Sequence, residues 1–156
     1  MQQLQNELGR DTAIFTLNFD VRNREDVFSA IESLLKEFSQ IDILVNNAGN
    51  AHGLEPIDKG SPDDWDAMLD INVKGLLYMS KAIIPKMVEH KSGHIINIGS
   101  TAGKEVYPNG NVYCASKHAV DAINQGMRID LNAYGIRVGA VNPGLVQTEF
   151  SDVRFK

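Results

Sequence analysis

Tyr113 and Lys117 stand four residues apart in a segment whose apolar spacing predicts a helix over 111–134, so their side chains share one face. A free phenol has a pKa of about 10, too high for a base at neutral pH. An ammonium held beside it favours the phenolate, which equips the pair to pass a proton to or from a substrate oxygen. Ser100 ends the preceding apolar run and is placed to hydrogen-bond the same oxygen. Taken alone, Tyr-x-x-x-Lys is a weak signal, because chance supplies about 0.2 such pairs in a chain of this composition. Cys114, beside the tyrosine, reads as a packing residue, and His118 points to another face of the helix. His52, His90, His94 and His118 are scattered without metal-ligand spacing, so no metal site is expected.

These residues need elements to position them. Residues 12–19 alternate and are rich in strand formers, predicting a strand that ends at Asp20. Apolar residues at Val27, Ile31, Leu34, Leu35 and Phe38 predict a helix over 24–40. A short apolar run at 41–45 predicts a buried strand ending in Asn46-Asn47-Ala48-Gly49. Ser61-Pro62-Asp63-Asp64 has an N-cap residue, Pro at the first helical position and acids in the first turn. The helix it opens is expected to reach about His90, kinked or interrupted at Pro85. Strands are predicted over 94–98, ending at Gly99-Ser100, and over 136–141, ending at Asn142-Pro143-Gly144. Strands alternating with helices imply a doubly wound parallel sheet with helices on both faces, of α/β class. Ligands of such sheets bind beyond the carboxyl ends of the strands. All four predicted ends are polar or Gly-rich, and they fall along one edge.

The 156 residues fit a single domain, 1–156, able to bury a real core. Hydrophobic residues make up 43% and charged residues 22%, as in ordinary soluble domains. A net charge of −5 argues against nucleic acid or an anionic membrane surface as the partner. The single cysteine excludes an internal disulfide framework, so a reducing, cytoplasmic setting is expected. No apolar run is long enough for a membrane span, and residues 1–10 are polar and lack a signal-peptide core. Trp65 and the methionines fall at helical spacing and read as packing, and the mildly basic stretch 81–91 reads as a solvated helix face.

The surroundings of Tyr113 then become specific. Ile43-Leu44-Val45-Asn46-Asn47-Ala48-Gly49, Asn72-Val73-Lys74-Gly75, Ile95-Ile96-Asn97-Ile98-Gly99-Ser100, Tyr113-Cys114-Ala115-Ser116-Lys117 and Asn142-Pro143-Gly144-Leu145-Val146-Gln147-Thr148 resemble, in order and spacing, the short-chain dehydrogenase/reductase family. The resemblance covers the whole chain and implies a Rossmann-like, nicotinamide-dependent oxidoreductase acting on CH–OH groups. It implies that Tyr113 is the general acid/base, that Ser100 orients the substrate oxygen, and that Lys117 assists the tyrosine and binds the nicotinamide ribose. Asn72 would hold a water that relays protons. Asp20 and Val21 resemble the adenine contacts, Asn47, Ala48 and Gly49 the adenosine side, and Pro143, Gly144, Val146 and Thr148 the segment that fixes the nicotinamide.

A finer resemblance is to the 3-hydroxy acid and serine dehydrogenases of this family, which use NADP. It rests on Asn111-Val112-Tyr113, on Pro143-Gly144-Leu145-Val146, and on Thr148-Glu149-Phe150-Ser151 with Val153-Arg154-Phe155. Arg154 is a candidate for a substrate carboxylate, or else a surface arginine. The family also implies a homodimer or homotetramer formed through helices 62–90 and 111–134. The Gly-rich turn T-G-x-x-x-G-x-G is absent. On the resemblance, the sequence is therefore expected to be a piece of a longer protein, lacking the first strand or strands and the C-terminal end. NADP rests on resemblance alone, with NAD as the alternative. The competing readings are a relative acting on sugars, steroids or acyl-carrier ketones, and a non-catalytic dimerisation fragment.

Overall fold

The computed structural model describes residues 12–38 and 40–146. Helix α1, Arg24–Glu37, is capped by Asn23, whose side chain accepts from the N–H groups of Glu25 and Asp26. Strand β1, Ile43–Asn46, leads to helix α2, Pro62–Leu69, a π-helical turn, Asp70–Gly75, and helix α3, Leu76–His90. Strand β2, Gly93–Ile98, is followed by a 3₁₀ turn, Thr101–Gly103, and by helix α4, Asn111–Leu131. A second 3₁₀ turn, Asn132–Tyr134, then leads into strand β3, Ile136–Val141.

The sheet runs β1-β2-β3 with both pairs parallel. Leu44 lies beside Ile95, and Ile95 beside Val138. Leu44 and Ile95 form the core with Ile136, Ile31, Ile83, Met87 and Leu131, so α1, α3 and α4 all pack on this face. On the opposite face Ile43, Val45 and Val141 are exposed among the described residues. This is a Rossmann-like parallel sheet with crossover helices, but among the described residues the helices cover one face and not the expected two, so β1 is buried on one side only.

Two local expectations are corrected. Residues 12–19 form no strand: β1 is an edge of the described sheet, and a strand exists only through a neighbouring backbone that completes its ladder. Phe15 instead meets Phe38 edge to face, with ring centroids 6.3 Å apart. Ser61 is the N-cap of α2, with Pro62 at its start and Asp63 and Asp64 in its first turn as expected, although the Ser61 side chain makes no cap hydrogen bond. The long helix is interrupted at Asp70–Gly75 and not at Pro85, which lies within α3. Proline there deprives only the carbonyl of Lys81, and Lys81 is exposed, so solvent can serve it.

A buried polar ladder crosses the covered face. The Asn46 amide donates to Ser80 Oγ at 3.0 Å and to Asn97 Oδ1 at 2.9 Å, and the Asn97 amide donates to Asn124 Oδ1 at 3.0 Å. It ties β1 and β2 to α3 and α4. Asn97 is 0% exposed, so Asn97→Ala leaves groups on both neighbours unsatisfied. The expected loss is about 3 kcal/mol of unfolding free energy by urea denaturation. A loss below about 0.5 kcal/mol would show that the ladder contributes little.

Candidate active site

Because the three strands are parallel and in register, their carboxyl ends deliver Asn47, Gly99-Ser100 and Pro143-Gly144 to one edge. The Thr101 N–H donates to the Pro143 carbonyl at 3.1 Å, which ties two of these loops together. A cavity of about 460 Å³ opens there, lined by Asn47, Gly49, Ile98, Gly99, Ser100, Tyr113, Lys117, Pro143, Gly144 and Val146. Ser100 caps the 3₁₀ turn, its Oγ accepting from the Ala102 N–H at 3.1 Å.

Helix α4 enters this edge with Tyr113 and Lys117 on its buried face. Tyr113 belongs to a buried cluster with Ala51, Met68, Ala102 and Cys114, against which Trp65, Tyr107 and Val112 pack. Lys117 Nζ stands 5.9 Å from the Tyr113 ring centroid and donates to the Ile98 carbonyl at 3.0 Å. Burial lowers the Lys117 pKa from its ordinary 10.5 to about 8, because desolvation disfavours the ammonium.

Asn72 sits within the π-helical turn and is 2% exposed. Its Oδ1 accepts from the Asn50 N–H at 2.8 Å, and its amide donates to the Asn50 carbonyl at 2.9 Å and to Ser116 Oγ at 3.0 Å. Ser116 in turn donates to the Tyr113 carbonyl at 2.8 Å. One side chain thus fastens the loop after β1 to the helix that carries Tyr113 and Lys117. With both amide protons used, Asn72 has no side-chain donor left for a water. Functional sites often carry such single π turns.

Asp20 and Val21 lie apart from the cavity lining. The Arg22 guanidinium and backbone N–H bind the Asp20 carboxylate, with guanidinium contacts of 2.6–3.0 Å. The Arg22 hydrogen bond holds the Asp20 carboxyl below its ordinary pKa.

The sequence profile described as short chain dehydrogenase matches residues 1–156. The chain belongs to the short-chain dehydrogenase family. It is 50% identical over 157 residues to the NADP-dependent 3-hydroxy acid dehydrogenase YdfG of Escherichia coli K12, covering 100% of this chain and 62% of the relative. An uncharacterized oxidoreductase of Staphylococcus saprophyticus is 40% identical over 97% of this chain and 62% of its own length. Among solved structures, the closed form of a serine dehydrogenase complexed with NADP+ superposes with a TM-score of 0.87 at 50% identity, covering 99% of this chain and 62% of that one. A gluconate 5-dehydrogenase from Burkholderia cenocepacia, in complex with NADP and tartrate, gives 0.82 at 36% identity over 85% and 52% of the two chains. The chain thus spans about 62% of the length of the curated relatives it matches.

Within this short-chain dehydrogenase fold, eight of the residues singled out from sequence line one cavity: Asn47, Gly49, Ser100, Tyr113, Lys117, Pro143, Gly144 and Val146. Asn72 adjoins it through Gly49, where an added Cβ would lie 3.2 Å from Asn72 Oδ1. Ala48 is exposed beside the lining residues, and Thr148 and Arg154 lie outside the described residues. Sequence reading missed Asn50, Ser116 and the Ile98 carbonyl. Ser116 had a signal, a hydroxyl one residue from Lys117 on the same buried helix, but the other two act through their backbones. Cys114 is buried, as its reading as a packing residue requires.

Proposed function

We propose that the protein is an oxidoreductase that transfers a hydride between NADP(H) and the hydroxyl-bearing carbon of a small hydroxy acid, a 3-hydroxy acid or serine. The observation that carries this reading is the convergence of Ser100, Tyr113 and Lys117 on one cavity at the carboxyl ends of a parallel sheet. The relatives named as NADP-dependent 3-hydroxy acid dehydrogenase and as serine dehydrogenase with NADP+ support the cofactor and the substrate class.

The residues present fit a dinucleotide. Gly49 lines the cavity beside Lys117, and a Cβ there would crowd Asn72 Oδ1 at 3.2 Å and touch Lys117 Nζ at 3.7 Å. Asp20 and Val21 would contact the adenine, Asn47, Ala48 and Gly49 the adenosine side, and Lys117 the nicotinamide ribose. Pro143, Gly144, Val146 and Thr148 would fix the nicotinamide, which when bound supplies the hydride chemistry. NAD is the alternative, separated by comparing the dissociation constants of the two dinucleotides.

Ser100 Oγ and the Tyr113 hydroxyl hold the substrate oxygen. Tyr113 takes the alcohol proton as the carbon gives up its hydride, and returns a proton to the carbonyl oxygen in the reverse direction. The Lys117 ammonium, near the ring and shielded from solvent, stabilises the Tyr113 phenolate that accepts the alcohol proton, and the same phenolate as it re-forms when the phenol donates in the reverse direction. The Asn72 amide protons are spent on Asn50 and Ser116, so a relay water held by this residue would donate to one of its oxygens. Arg154 would pair with the substrate carboxylate.

Following NADPH formation by the full-length protein tests the reading. The parent is expected to oxidise a 3-hydroxy acid or serine, and Ser100→Ala to be slower by about 100-fold in kcat. Equal rates would remove Ser100 from the chemistry. A parent active only on sugar or steroid alcohols would overturn the substrate class. Exposed Leu69, Leu77 and Ile129 on α2, α3 and α4 support self-association through 62–90 and 111–134.

A further inference from the structure

We infer that Gly75 is a positioning residue for the adenine end of the cofactor, an inference that rests on reading Asp20 and Val21 as the adenine contacts. Gly75 is the last residue of the π-helical turn and is buried. Glycine weakens a helix, and its place within one is explained where another part of the chain comes too close for a side chain. At Gly75 the approach is by Val21. A Cβ on Gly75 would lie 2.9 Å from Val21 Cγ2, 3.2 Å from Val21 Cβ and 3.4 Å from the Val21 carbonyl oxygen. Gly126, also inside a helix, has nothing within 4 Å of such a Cβ.

Neither side of this contact can yield easily. Valine is branched at Cβ and stiff about χ1, so its methyl cannot simply swing aside. Its backbone belongs to a turn closed by the Asn23 N–H donating to the Asp20 carbonyl at 3.0 Å. Arg22 grips the Asp20 carboxylate, and Asn23 caps α1. On the other side, Asn72 fastens the π turn to Asn50 and Ser116. An added methyl therefore displaces the 20–21 segment as a unit, away from its register with the cavity. The Gly75–Val21 contact is the joint that sets how far the adenine contacts stand from Lys117 and Tyr113.

The test measures NADP dissociation constants and steady-state kinetics of full-length parent, Gly75→Ala, Val21→Ala and the double variant. Gly75→Ala is expected to weaken NADP binding by about tenfold, with kcat at saturating NADP changed less than about twofold. Adding Val21→Ala makes room for the methyl, so the double variant is expected to bind within about threefold of Val21→Ala alone. A merely structural defect would depress kcat and would not be repaired by removing the valine. If Gly75→Ala does not fold, Val21→Leu overfills the same contact and is expected to weaken NADP binding comparably. Parental affinity in Gly75→Ala, or simple additivity in the double variant, would overturn the inference. A parent that binds no NADP would overturn the cofactor reading beneath it, a result distinct from tight parental binding that Gly75→Ala leaves unchanged.

Discussion

Tyr113→Phe is expected to lower kcat by about 1,000-fold while NADP affinity stays within about threefold of the parent. The change removes one hydroxyl and keeps the ring, which is the apolar part that Tyr113 contributes to its buried cluster with Ala51, Met68, Ala102 and Cys114. The fold and the cavity walls therefore persist. What disappears is the group that takes the alcohol proton while the hydride leaves. A loss of that size corresponds to about 4 kcal/mol of transition-state stabilisation, within reach of a positioned general acid–base group. Rapid-mixing measurement of NADPH formation with a hydroxy acid, alongside fluorescence titration of the cofactor, separates the two quantities. Full activity in Tyr113→Phe would refute the role given to this residue.

Lys117→Met should move activity and stability in opposite directions. The ammonium near the phenol ring and the proposed ribose contact are both lost, so kcat/KM is expected to fall by at least about 100-fold. The stability effect follows from burial. Native Lys117 has a pKa of about 8 against an ordinary 10.5. Between these values the unfolded chain holds the proton and the native chain does not, so this residue makes unfolding free energy rise with pH across that window. Below about 8 both states are protonated and the full desolvation penalty, about 3 kcal/mol, is present. Methionine carries no such penalty. Urea denaturation without cofactor should therefore favour Lys117→Met more at pH 7 than at pH 10, the difference shrinking as pH rises. A stability difference constant from pH 7 to pH 10 would contradict this. The cost is of the kind functional sites commonly impose on stability.

The parts of this site legible in sequence are those fixed by local spacing. Tyr113 and Lys117 share a face because they are four apart on a helix. Ser100, Asn47 and Gly144 reach one edge because short apolar runs ending in polar residues predict parallel strands. The parts that were not legible depend on distant backbone. Residues 12–19 have a strand's alternation but no described neighbour to complete a ladder. Sequence spacing points to Pro85 for the kink or interruption of the long helix, because it is the one proline in that helix's interior. The interruption occurs instead around Asn72, whose bonds to Asn50 and Ser116 bridge 22 and 44 residues of sequence. Asn97 was half legible: an asparagine inside an isoleucine run needs buried partners, but nothing local names Asn46 and Asn124 as those partners.

Hydride transfer itself is tested most directly with a 3-hydroxy acid deuterated at the hydroxyl-bearing carbon, incubated with NADP+ and the full-length protein. The reduced cofactor is then weighed by mass spectrometry. The expected result is NADPH carrying the deuterium, made by the parent and nearly absent with Tyr113→Phe. Reduced cofactor without the label, or none with any hydroxy acid despite NADP binding, would contradict the proposed reaction.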